Sequence, residues 1–146
     1  MKKILLSLIC LFCVVGCGVK NNKLDLKKVQ QALSSSEYFS NHEVVSTDTI
    51  SNRYSIDISK FDETLMLSST KYDDATIVFI SHPSNESTKK EFENFIDSYN
   101  SQWVGMNYFP EQKELVENAL YTTYNDYLIY IVSNNNDAII NLIKNN

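Results

Sequence analysis

This sequence is poor in the residues from which most catalytic and cofactor sites are made. Glycine occurs three times in 146 residues, at Gly16, Gly18 and Gly105. That scatter excludes a glycine-rich loop wrapped around phosphate. Histidine occurs twice, at His42 and His82, and neither lies at a metal-ligand spacing from another histidine or a cysteine. A zinc site needs three or four such ligands, so none is expected, and no cofactor is expected either. Of the three cysteines, Cys10 and Cys13 fall inside an apolar leader. Beyond residue 16 only Cys17 remains, which excludes an internal disulfide there. Positive charge is also short: 13 Lys and Arg face 18 Asp and Glu. An acidic surface repels phosphate backbones, so no nucleic-acid partner is expected. Long apolar runs are missing too. A membrane-spanning helix needs about 20 apolar residues, and the longest run here, residues 4–15, has about 12.

What stands at the start reads as an export signal of the lipoprotein kind. Met1-Lys2-Lys3 is a short positive region, followed by the apolar run. Val14-Val15-Gly16-Cys17 then supplies an aliphatic residue, two small or aliphatic ones, and cysteine. Only a thiolate serves as the nucleophile that takes a diacylglyceryl group. Residues 1–16 are therefore expected to be a signal peptide, with Cys17 as the lipid attachment site. Two acyl chains hold firmly where one holds marginally, at about 0.8 kcal/mol per buried CH₂. Residues 17–23 read as the lipidated cysteine and a short polar tether, and residues 24–146 as one domain. That domain is expected at the outer, extracytoplasmic face of a cell membrane. Without Lys2 and Lys3, the 13 basic residues become 11 against 18 acidic, a net of −7.

Periodicity predicts an α+β fold. Asp25 caps a helix running to about residue 35, with Leu26, Val29 and Leu33 on one stripe. A short helix starts at Thr47 or Asp48, and Tyr54-Ser55-Ile56-Asp57 reads as a packed turn. Two ββα units follow. Residues 64–71 and 76–81 flank Asp73-Asp74, and the next helix carries Phe92, Phe95, Ile96, Tyr99 and Trp103 at helical spacing. Residues 119–124 and 127–132 flank Asn125-Asp126, ahead of a helix with Ile139, Ile140 and Ile143. Between the units, Pro110 opens a helix with Glu111 and Glu114 near its positive end. The whole predicts a four-stranded antiparallel sheet with helices packed mainly on one face, preceded by an N-terminal helix.

Tyr54-Ser55-Ile56-Asp57, the run from Tyr108-Phe109-Pro110-Glu111-Gln112 to Leu115-Val116-Glu117-Asn118-Ala119, and Tyr127 to Ser133 with its Asn-rich sequel carry a resemblance. In that order, behind a lipobox and polar tether, they resemble the small Gram-positive lipoproteins of the domain of unknown function 4358 family. The resemblance covers about residues 24–144 and implies location and fold. It carries over no functional residue beyond Cys17. Ser55 stands where a glycine is expected in the Tyr-x-Ile-Asp turn, and the second hairpin turn also lacks its glycine.

Candidates for chemistry are few. Ser81-His82 supplies a nucleophile and a base, but adjacent strand residues point to opposite faces and cannot pair. A hydrolase using His82 would need a carboxylate such as Asp62 or Glu86. Asp73-Asp74 and the run from Asn134 to Asp137 lack the ordered pattern of a calcium loop and read as a turn and a helix cap. If Asn125-Asp126 is a two-residue turn, Tyr121 pairs across with Tyr130, and one face carries Tyr121, Thr123 and Tyr130. With no helix over it, that face suits an envelope protein or a glycan, since tyrosine offers area and a polar handle. The expected function is a non-enzymatic binding or accessory module at the cell envelope. A His82 hydrolase comes second, and a small-ligand carrier last, because about 130 residues in one domain leave no two-lobed clamp.

Overall fold

Asp25 marks where the first helix begins. In the computed structural model, which describes residues 23–105 and 109–146, its carboxylate accepts the backbone N–H groups of Lys27 and Lys28, each at 3.2 Å. Helix α1 (Leu26–Ser34) follows, with Val29 and Leu33 buried on one stripe. Residues 1–16, Cys17 and the tether up to residue 22 lie outside the described residues, as does Tyr108. The chain then runs through β1 (His42–Val44), α2 (Thr47–Tyr54), a 3₁₀ turn (Ile58–Lys60), β2 (Phe61–Ser69), β3 (Ile77–Pro83) and α3 (Glu86–Val104). After α4 (Pro110–Glu117) come β4 (Leu120–Tyr124), β5 (Tyr127–Val132) and α5 (Asn136–Lys144).

The strands form one antiparallel sheet in the order β1-β2-β3-β5-β4. Both ββα units are present, as β2-β3-α3 and β4-β5-α5. Four strands are predicted and five are found. The extra one, β1, sets His42, Glu43 and Val44 against Ser69, Ser68 and Leu67. Three residues are too few to show a period of two, so nothing local marks them as a strand.

The helices also depart from the predicted arrangement. α2, α3 and α4 pack on the face that carries Met66, Phe79, Leu128 and Tyr130. α1 and α5 close the opposite face over Leu65, Leu67, Val78, Ile80, Ile129 and Ile131. The sheet therefore lies between two helical layers, with the longest helix on one side and no open face in its centre. The cue is in the strands themselves. Every residue of β5 is buried, and its sequence, Tyr-Leu-Ile-Tyr-Ile-Val, shows no polar alternation. Such unbroken apolar runs belong to strands covered on both sides.

The turns follow from backbone chemistry. Asn125 and Asp126 have φ of 48° and 66°, both left-handed, which is the geometry of a type I′ hairpin. Tyr124 then pairs with Tyr127, and Tyr121 with Tyr130, as the two-residue turn predicts. Ser55, at the end of α2, also sits left-handed, at φ 54° and ψ 35°. A side chain in that region costs stability that glycine avoids. Ser55→Gly is therefore expected to stabilise the domain by about 0.5–1 kcal/mol. The check is a higher urea midpoint at unchanged slope; a lower midpoint would show that the serine side chain makes a contact of its own.

Candidate functional site

His82 lies at the end of β3, beside a bulge in β2. Phe61 pairs with Pro83 and Glu63 with His82, leaving Asp62 as the extra residue. A bulge re-aims the side chain it displaces. Here Asp62 Oδ2 comes to 3.0 Å from His82 Nδ1. The Ser84 hydroxyl donates to the carbonyl of Lys60 and lies 3.3 Å from the other Asp62 oxygen. The carboxylate thus stands between serine and histidine. A serine hydrolase needs histidine in the middle, able to take the serine proton. Ser81 is no substitute: it is buried, and its hydroxyl donates to the carbonyl of Glu63 within the sheet. Glu86 opens α3 and lines the same shallow depression of about 380 Å³ as His82. Of the acids predicted to serve His82, Asp62 reaches it.

Glu63, next to the bulge, gathers a second set of contacts. One of its oxygens accepts Tyr127 Oη at 2.5 Å and the other pairs with Lys23 Nζ at 2.6 Å. Burial pushes its carboxyl upward, but the bonds from Lys23 and Tyr127 outweigh that and hold it below the ordinary carboxylate value.

The tyrosine face is divided by α3. Tyr130 is 1 % exposed, lies beneath that helix and donates its hydroxyl to Asn100 Oδ1. It is not available to a partner, which corrects its predicted place on an open face. Tyr121 remains 40 % exposed, reaching Glu93 at 3.4 Å, and Thr123 is exposed beside it. Both belong to β4, an edge strand. In a two-residue hairpin the residues closing the turn form a hydrogen-bonded pair, and the pattern then alternates. The N–H and C=O groups of Thr123 and Tyr121 accordingly point away from β5. Among the described residues no other strand pairs with that outer side.

At the opposite end of the sheet from His82 lies a concavity of about 890 Å³. It is lined by residues around the end of α4 and the start of α5, including Gln112, Asn118 and Ser133 to Asn136. Asn136 Nδ2 donates to the carbonyl of Asn118 at 2.9 Å, and its Oδ1 is buried without a partner. The run from Asn134 to Asp137, predicted to cap a helix, is where α5 begins, with Asn135 at the N-cap position and no side-chain cap bond. Asp74 serves its turn, accepting the amide and hydroxyl of Thr76 at 2.9 and 2.6 Å.

The family described as domain of unknown function (DUF4358) matches residues 34–133. The chain belongs to that family. No curated protein and no solved structure matches it. In this DUF4358 domain the described residues hold no cluster of three or more His, Cys, Asp or Glu able to bind a metal, and no helix long and apolar enough to cross a membrane. Sequence reading named His82 and Asp62 but missed the bulge, the Glu63–Tyr127–Lys23 set and the free edge. Each depends on strand pairing at long range, for which the chain carries no local signal.

Proposed function

We propose that this DUF4358 domain is a non-enzymatic binding module, lipid-anchored through Cys17 at the extracytoplasmic face of a cell membrane. It takes an extended segment of an envelope protein along the outer edge of β4. The observation that supports this reading is the character of that edge. Natural sheets blunt exposed edges with lysine, proline, bulges or a covering element. β4 is Leu-Tyr-Thr-Thr-Tyr, uncharged and regular, whereas the other edge, β1, is three residues long and contains Glu43. An added strand gains main-chain hydrogen bonds from Tyr121 and Thr123, while the exposed Tyr121 ring offers a contact for its side chains.

A photoreactive phenylalanine analogue placed at Tyr121 in intact cells tests the edge. One recurrent protein adduct is expected, mapping to a segment that is extended in the partner. Thr123→Pro removes an N–H that points outward, so the β4–β5 ladder and the melting temperature should survive. The adduct should fall at least about tenfold, because strand addition loses a bond and meets the proline ring. An undiminished adduct would sink the edge reading, and wall polymer in place of protein would point to a glycan. The anchor has its own check. Cys17→Ala is expected to abolish fatty-acid labelling and release the protein from the membrane fraction.

A second reading, a hydrolase acting on envelope polymers, draws on the His82–Asp62 pair beside its open depression. In that reading His82 activates water, since Ser84 is bonded elsewhere. His82→Ala would then remove turnover that Thr123→Pro leaves intact.

A further inference from the structure

We propose that the end of the sheet bearing His82 and the β4–β5 turn faces the lipid surface, and that the amide-lined concavity faces away from it. This rests on the reading of Cys17 as the anchor. Three consecutive residues pin the chain where it enters the domain. Lys23 is paired with Glu63 at 2.6 Å, Leu24 is 5 % exposed within the α1 and α5 layer, and Asp25 caps α1. Glu63 in turn pairs with His82 across the sheet and accepts the hydroxyl of Tyr127, just after the turn. The tether therefore joins the domain at the His82 end.

Length then sets the geometry. Cys17 and Lys23 are six residue steps apart, and a chain spans at most about 3.6 Å per step, so the tether reaches about 20 Å. From Glu63, where the tether is pinned, β2 runs six residues further to the far end at Ser69, about 20 Å away. The His82 end stays within reach of the headgroups at any extension of the tether, whereas turning the far end to them would need the tether drawn out fully. Charge acts in the same sense. The concavities at the far end are lined by Glu37, Glu111, Glu114 and Asp137 with no lysine or arginine. The depressions at the His82 end include Lys23, Lys27 and Lys89 among their acids. An anionic membrane repels the first and tolerates the second. Strand β4 consequently stands along the membrane normal, with its turn toward the lipid.

The test uses full-length, lipidated protein reconstituted into phosphatidylglycerol vesicles that carry an acceptor dye on a headgroup. Donor dye is placed on Asp126→Cys or on Asn134→Cys; Cys17 is acylated and does not compete. The two positions flank β5, about 20 Å apart. Energy transfer is expected to be clearly stronger from position 126 than from position 134. Lys23→Glu combined with Leu24→Asp should shrink that difference by unpinning the tether, and its survival would overturn the pin. Equal or reversed transfer in protein that floats with the vesicles would overturn the orientation alone. If the unmutated chain floats no better than Cys17→Ala, the anchor reading fails and this proposal with it.

Discussion

Phe79→Ala is expected to destabilise the domain by about 3–5 kcal/mol, the largest single effect of any substitution considered. Phe79 is fully buried on β3, the middle strand of the sheet. Its ring stacks on Phe92 at 4.6 Å and 20° and meets Phe95 edge-on at 5.0 Å. Alanine would lose those contacts and leave a cavity that cannot collapse, because Met66 and Tyr130 flank it on the neighbouring strands. Domains of this size have total stabilities of about 5–15 kcal/mol, so a fifth or more would be lost. Urea unfolding monitored by circular dichroism measures it. Tyr72→Ala is the control: that side chain is 85 % exposed, and its loss should stay within about 0.5 kcal/mol. A loss below about 1.5 kcal/mol at Phe79 would show that α3 does not pack on the sheet as described.

The second large effect is alkaline unfolding. Burial raises the hydroxyl pKa of Tyr99 and Tyr130 well above the ordinary tyrosine value. Burial and then Glu93 push Tyr121 up to about 12. Tyr99 donates to the carbonyl of Ala75 at 2.9 Å, a bond that the tyrosinate cannot make. The folded chain thus keeps protons that the unfolded chain releases near pH 10. Stability is complete below that pH and is lost as pH rises beyond it. Each tyrosine held protonated in this way removes about 1.4 kcal/mol per pH unit, so Tyr99 and Tyr130 together remove about 3. Tyrosinate absorbance should therefore appear in one cooperative step together with loss of circular dichroism, between about pH 10 and 12. A gradual titration with the fold intact would contradict the buried hydroxyls. On the acid side His42 acts in the opposite direction. Its ring packs on Phe39, both ring nitrogens lack partners, and burial lowers its pKa against the opposing pull of Asp74. That contribution is present above about pH 6.5 and lost as pH falls.

Local signals were legible wherever they were strong. The stripe from Phe92 to Trp103 is the buried face of α3, Asp25 caps α1, and Pro110 begins α4. The I′ turn at Asn125-Asp126 and its pairing of Tyr121 with Tyr130 follow from the turn residues alone. The prediction of one open face failed because it rested on the pairing of Tyr121 with Tyr130 across the turn, which says nothing of what covers the strands. The unbroken apolar run of β5 called for cover on both sides. Tyr130 looked available for the same reason that Tyr121 is: they share a face. What separates them is one strand's width, since α3 covers the inner strand and leaves the edge partly open.

By itself the sequence determined the α+β class, the order of helices and hairpins, the caps and turns, the family, and the absence of a glycine-rich phosphate loop. These are properties of neighbouring residues, where propensity, periodicity and capping act over a few positions. Only the tertiary structure decided the second helical layer, the β1 edge, the bulge that brings Asp62 to His82, and the pinning of Lys23 on Glu63. Those depend on which strands pair and in what register, contacts between residues tens of positions apart. Their energy comes from burying two faces of one sheet at once, and no short stretch of the chain can encode that alone.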